Sequence, residues 1–271
     1  MAEIVNPRRG WLQRFREAPL DSSVKTLAVA AGVCLVCSLF VTSATVVLRP
    51  RVLRNQQAER NQYIVAILAG VPGLAEAVGG LDAGNVEARI VDLEAGTYVE
   101  SADPQTFDAR KAAADPEQSI ALPRERDLAG IGRRPNWAPV YIVREDGRPR
   151  LLILPLYGQG FASTLRGYLA LDGDANTIRA LAFYEHGETP GLGAQIESAQ
   201  WKAQWQGKKV RDDSGTIRVQ VAKGAARSEY EVDGISGATY TGAGVTNLLH
   251  FWLGPDGFGP FLRNVAKEGS S

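Results

Sequence analysis

The sequence predicts an α+β fold: a single N-terminal transmembrane helix, then a soluble domain built on a mainly antiparallel sheet with flanking helices. Three observations carry this. The stretch "TLAVAAGVCLVCSLFVTSATVVL", Thr26 to Leu48, runs 23 residues without a charge, and as a helix it would span roughly 34 Å, enough to cross a bilayer. Downstream, strand-like and helical stretches do not alternate with the regularity of a doubly wound sheet. Near the C-terminus Val245, Leu248, Leu249 and Trp252 fall at i, i+3, i+4 and i+7, one buried helical face.

Taken in order, residues 1–25 read as a polar tail and 26–48 as the membrane span. Lys25 stands at one end of the span and Arg49 at the other, followed by Pro50. Arg8, Arg9, Arg14, Arg16 and Lys25 precede it; Arg49, Arg51, Arg54 and Arg60 follow. The positive-inside count leans only weakly toward a cytoplasmic N-terminus and an exported C-terminal domain. A cleaved secretory signal ending near Thr42-Ser43-Ala44 is the competing reading, but the apolar run exceeds the usual ~7–15 residues of such a signal. Cys34 and Cys37 share one helical face and read as packing residues, since a metal or cluster site usually needs further ligands.

"VLRNQQAERNQYIVAILAG" predicts a juxtamembrane helix, ended by Gly70 and Pro72-Gly73, so that 49–70 leads into a domain at 71–271. Within it "VEARIVDLEAGTYV" alternates like a strand. Residues 101–135 read as surface helix and loop. "APVYIVRED" and "PRLLILPLYG" form a hairpin around a glycine turn. "GYLALD", "IRALAFYEH" and "IRVQVAKG" are further strands, and "SAQWKAQWQG" is a helix.

Thirty basic residues balance thirty acidic ones, and no basic stripe with interleaved aromatics points to nucleic acid. His186 and His250 are the two histidines, too few with membrane-embedded cysteines for a self-contained zinc site in the soluble domain. Gly234-Ile235-Ser236-Gly237 approaches a nucleophile elbow but has Ala238 where glycine is needed. A phosphate-binding P-loop is missing as well, because Gly207-Lys208 is followed by Lys209.

"DGISGATYTGAG", residues 233–244, gathers hydroxyls that no neighbouring base activates. Thr241 reads as the N-cap of the following helix, where free N–H groups and the positive dipole end favour an anion. From the residues alone two readings stand: a capped turn, or a phosphate cradle.

Asp233-Gly234-Ile235-Ser236-Gly237-Ala238-Thr239 resembles the flavinylation motif of membrane proteins that carry FMN as a threonine phosphoester. The likeness continues through "SSVKTLAVAAGVCLVCSLFVTSATVVLRP", "PLYGQGFASTLRGYLALDGDANTI", "AFYEHGETPGLGAQIE", "WKAQWQGKKV", "VAKG" and "LLHFWLGPDGFGPFL". In this order they are similar to the C-type subunit of the Na+-translocating NADH:quinone reductase. The G-type flavin subunit of the ferredoxin-linked Rnf electron transport complex is the alternative; the "FWLGPDGFGPFL" ending and the Lys25-Thr26-Leu27 start favour the sodium pump.

The resemblance implies FMN attached to Thr239 by a separate magnesium-dependent flavin transferase, with Asp233, Ser236, Gly237, Ala238 and Thr241 around it. It sets His186, Glu188, Thr189, Gly191, Leu192 and Gly193, of the H-x-E-T-P-G-L-G loop, against the flavin, and Lys223 of the K-G turn near its charge. Where the family usually reads G-L-W-S-T-M-Y-G, this chain has Gly160-Phe161-Ala162-Ser163-Thr164-Leu165-Arg166-Gly167, with Phe161 the candidate to replace the lost aromatic wall. Residues 101–135 match poorly. By the same resemblance the chain is an electron-relay subunit of a six-subunit complex (partners of A, B, D, E and F type) in the bacterial inner membrane. Its FMN-binding domain is expected to be periplasmic, passing electrons from a membrane iron-sulfur centre toward the FMN of the B-type partner.

Overall fold

The computed structural model describes residues 26, 27, 29–43, 86–104, 106–145 and 147–269. The chain divides into two compact units, Met1–Ala58 and Glu59–Ser271. In the first, residues 29–43 form helix α1, with 26 and 27 also helical. Its apolar side chains are exposed, Leu35, Val36, Leu39 and Phe40 among them. No helix among the described residues is long and apolar enough to cross a membrane. The expected span at 26–48 runs past α1, and residues 28 and 44–48, like the expected juxtamembrane helix at 52–70, lie outside the described residues.

The second unit begins with β1 (Val86–Asp92), followed by α2 (Ala109–Ala114), β2 (Ser119–Ala121) and β3 (Arg133–Pro135). Four long strands come next: β4 (Trp137–Glu145), β5 (Arg148–Gln159), β6 (Thr164–Asp172) and β7 (Ile178–Glu185). A 3-10 turn (Gly193–Glu197), α3 (Ala199–Ala203), β8 (Gln220–Val221), β9 (Glu231–Val232), α4 (Thr239–Leu253) and α5 (Gly259–Gly269) complete the unit. The main sheet runs β1-β4-β5-β6-β7 and every neighbouring pair is antiparallel. The sheet and the hairpin from "APVYIVRED" and "PRLLILPLYG" therefore match the expectation.

Alternation along the strands gives the sheet two apolar faces. Val140, Ile142, Leu152, Leu154 and Leu169 lie on one, packed with Val245, Leu248, Leu249 and Trp252 of α4 and with Phe258 and Phe261. Tyr141, Val143, Leu151, Ile153 and Ala170 line the other. Trp252 Nε1 donates to Tyr157 O at 2.7 Å and locks α4 onto β5. Gly254 ends α4.

Pairing between β4 and β5 stops at Tyr141 and Ile153. Two residues further along each strand, the same register would oppose Pro139 to Pro155. Neither can donate a backbone hydrogen bond, and the two strands part: from here β4 is paired with β1 alone and β5 with β6 alone.

Three expectations are corrected. "IRVQVAKG" yields only the two-residue β8, because Arg218 N and Val219 N both donate to Val210 O and break the ladder. "SAQWKAQWQG" is α-helical only over α3; after it, Trp205 N and Gln206 N reach back three residues, and Gly207 turns out of the helix at φ +77. Residues 101–135 are not all surface: Ser119 and Arg134 are buried, with Arg134 Nη1 donating to Asp256 O at 3.0 Å.

Candidate functional site

The 233–244 segment turns sharply into α4. Gly237 sits at φ +72, a left-handed conformation that glycine adopts without penalty, and Leu192 packs so close that a Cβ on Gly237 would fall 2.9 Å from Leu192 Cδ2. Ala238 occupies the N-cap position, and no side chain caps the helix. The first turn of a helix carries N–H groups without intrahelical acceptors. Thr239 therefore stands exposed at an uncapped, positively polarised helix end.

Thr241 is not the N-cap. It is the third residue of α4, 1% exposed, and its Oγ1 donates to Glu188 Oε2 at 2.6 Å. Helical geometry turns it inward while Thr239 and Tyr240 stay outside. The opposite carboxylate oxygen, Glu188 Oε1, accepts from Ala162 N at 2.9 Å and Ser163 N at 3.3 Å. One buried carboxylate thus ties the 160–163 turn, the 186–193 loop and the start of α4. Glycine is needed around it: a Cβ on Gly193 would fall 2.6 Å from Thr241 Oγ1 and 2.7 Å from Glu188 Oε2, and one on Gly160 would fall 2.5 Å from Glu188 Oε1.

His186 Nδ1 accepts from Glu188 N at 3.2 Å, which leaves the ring proton on Nε2. That nitrogen lies 3.0 Å from Glu197 Oε1, close enough for attraction but off the line of a hydrogen bond. Thr189, Gly191 and Leu192 are exposed at the loop tip. Beside them the rings of Phe161 and Tyr240 stack at 5.6 Å with 20° between planes, Phe161 being 65% and Tyr240 74% exposed.

On the other flank of Thr239 lies a cavity of about 550 Å³ lined by Lys223, Arg227, Thr239 and Asn247, with Gly234 and Gly242 in its wall. Asp233 builds this flank rather than pointing into it. Its Oδ1 accepts from Ala226 N at 2.7 Å, its backbone N–H donates to Gln204 Oε1, and its carbonyl accepts from Trp201 Nε1. Gly234 N donates to Gly224 O at 2.7 Å, fixing the Lys223-Gly224 turn over the threonine. Ser236 is exposed on the turn and Ala238 is buried beneath it.

The structure therefore gathers Thr239, Lys223, Phe161, Leu192 and the loop glycines around one helix end, and places Glu188 and Thr241 beneath them as support. Arg227, Asn247 and Tyr240 were not anticipated. Tyr240 adjoins Thr239 in sequence, and Arg227 follows the K-G turn by three residues; both lay within reach of the motifs already noted.

Residues 160–254 match the family model described as FMN-binding domain. Over 254 residues the chain is 46% identical to the C-type subunit of the Na(+)-translocating NADH-quinone reductase of Pseudomonas aeruginosa, covering 91% of this chain and 97% of that protein. The chain belongs to this family, NqrC. Its Yersinia pestis relative is 43% identical over 92% of the chain and 95% of the relative. Among solved structures, NqrC of Shewanella oneidensis superposes with a TM-score of 0.67 at 32% identity, covering 79% of this chain and 99% of that one. The corresponding protein of Parabacteroides distasonis gives 0.55 at 30% identity, over 78% and 96%. NqrC proteins are part of a multi-subunit oxidoreductase complex, and the antiparallel sheet with helices described above is the NqrC fold.

Proposed function

We propose that the chain carries FMN through a phosphoester to Thr239 and serves as an electron relay, between an iron-sulfur centre of the membrane subunits and the FMN of the B-type partner. The observation that carries this is the exposed Thr239 hydroxyl, at an uncapped helix end, facing a cavity that holds Lys223 and Arg227. A phosphate fits there on charge and on backbone access, since free N–H groups and two cations meet with glycine in the wall.

FMN supplies reversible uptake and release of electrons; the protein supplies position and electrostatics. Lys223, Arg227 and the start of α4 would hold the phosphate. Phe161, Tyr240 and Leu192 offer apolar surface to the ring system, and Glu188 with Thr241 keeps the three supporting segments in register. The hydroxyl of Thr239 has no catalytic base among these residues, which accords with attachment by a separate flavin transferase.

Location follows the same reading. The exposed apolar side chains of α1 support a single-pass span at 26–48 in the bacterial inner membrane, and the basic residues flanking it lean toward residues 1–25 being cytoplasmic and the domain at 71–271 periplasmic. The remaining subunits of the complex would surround it.

Intact mass of the purified protein, co-expressed with the transferase, tests the proposal. One FMN phosphoester should be present and should vanish in Thr239→Val, together with the band's fluorescence on a denaturing gel. A Thr239→Val chain that keeps the added mass would reject the acceptor.

A further inference from the structure

The parting of β4 and β5 at Pro139 and Pro155 opens a second cavity, of about 700 Å³, roofed by the segment carrying α2 and by β3. It is lined by Arg110, Arg133, Arg166, Tyr157, Tyr168 and Tyr184. Its volume lies in the ~300–1,000 Å³ range of ligand-accepting clefts. None of the residues assigned to FMN lines it.

Its charge is positive. Arg110 and Arg166 share the single carboxylate of Glu185, the latter at 3.4 Å. Arg133 donates to Ser119 Oγ and Ser119 O, both at 2.9 Å, and its charge is felt by the Asp115 carboxylate. Asp108 is occupied as the cap of α2, accepting from Arg110 N and Lys111 N, and lies 3.7 Å from Lys111 Nζ. Arg166 lies over the Tyr157 ring at 5.1 Å. Burial pushes the Tyr157 hydroxyl up to about 12, so it remains neutral at physiological pH.

Composition and layering are those of a protein interface rather than of a small-molecule pocket. Tyrosine and arginine are the residues that dominate binding energy in interface centres. Arg110 stands at the rim with 59% of its side chain exposed, and Arg166 sits deeper at 22%, the arrangement of a solvated rim around a desolvated centre.

We propose that this cavity docks an acidic segment, with an aromatic or proline residue beside its carboxylate, carried by another subunit of the complex. It rests on membership of the multi-subunit family and is independent of the FMN assignment.

A photoreactive benzophenone amino acid at position 107, on the cavity wall, tests this in the complex isolated from membranes. Irradiation should join it to another subunit at a segment containing aspartate or glutamate. Arg166→Tyr should lower the yield about tenfold, as expected for losing one partner of a desolvated charge pair. Circular dichroism and the urea midpoint check that this variant folds, and Arg110→Gln provides a second variant if it does not. Restoration of the adduct by Arg166→Glu, combined with arginine at the mapped carboxylate, would complete the case. Adducts only within this chain, to lipid or to a segment lacking carboxylates overturn the proposal, as do no adduct or a yield indifferent to both arginines.

Discussion

Glu188 and Thr241 are joined by a 2.6 Å hydrogen bond across 53 positions of the chain, and the carboxylate is 4% exposed. This contact places the loop at 186–193 against the helix that presents Thr239. Removing its donor should be felt in stability before it is felt at the threonine.

Thr241→Val keeps the shape and removes the donor. The variant should lose about 1–3 kcal/mol, the price of leaving a buried group short of a partner, read as a lower urea midpoint with an unchanged m-value. Thr241→Ser, which keeps the hydroxyl, should recover most of it. Equal midpoints for valine and wild type would show that the bond contributes nothing.

Glu188→Ala should be more harmful than Glu188→Gln. Alanine leaves Ala162 N, Ser163 N and Thr241 Oγ1 without their acceptor, whereas the glutamine carbonyl can still accept. A difference of roughly 1–3 kcal/mol between the two variants is expected, measured by chemical denaturation.

Gly193→Ala and Gly191→Ala separate crowding from backbone strain. At 193 a methyl meets Thr241 Oγ1 and Glu188 Oε2 inside 3 Å, and about 1–3 kcal/mol should be lost to overpacking. At 191 nothing lies within 4 Å, but φ is +76, and the left-handed conformation costs about 1–2 kcal/mol for a residue with a Cβ. Thermal melting should rank Gly193→Ala as no less damaging.

Tyr157 predicts an alkaline limb. Burial raises its folded value to about 12 from 10.0, so between these the folded chain holds the proton more tightly than the unfolded chain. The contribution is fully present below pH ~10 and is lost as pH rises toward ~12, amounting to about 2–3 kcal/mol. Tyr157→Phe should flatten that limb relative to wild type in denaturation at pH 9 and 11. Identical slopes would reject the assignment.

Under the proposed function, Phe161 and Tyr240 should govern the brightness of the FMN on Thr239. Stacked aromatics favour an aromatic ligand beside them, and a tyrosine close to an excited flavin quenches it. Tyr240→Leu should raise fluorescence several-fold at equal flavin content, fixed by intact mass. Unchanged emission with full loading would place the ring system elsewhere.

Much of the fold was legible because it is written in short-range patterns. The unbroken apolar run in "PRLLILPLYG", buried on both faces of the sheet, and the i, i+3, i+4, i+7 series at Val245, Leu248, Leu249 and Trp252 are both patterns of near neighbours in the chain. What escaped depends on partners distant in sequence. Thr241 has the residue type of a cap, yet Glu188 claims its hydroxyl from another loop. The strand expected at 217–224 fails because Val210 O draws two donors. Likewise nothing local in the sequence shows that Pro139 and Pro155 would fall opposite each other if the β4–β5 register continued past Tyr141 and Ile153.

The Glu188–Thr241 contact bears on the timing of maturation. Closing a loop of that length is an entropic barrier, and contacts of long sequence separation form late in folding. Under the proposed function, the threonine is correctly displayed only once the turn at 160–163, the loop at 186–193 and α4 have met. A transferase that recognises this arrangement would label chains that have finished folding, making the attached flavin a record of successful assembly.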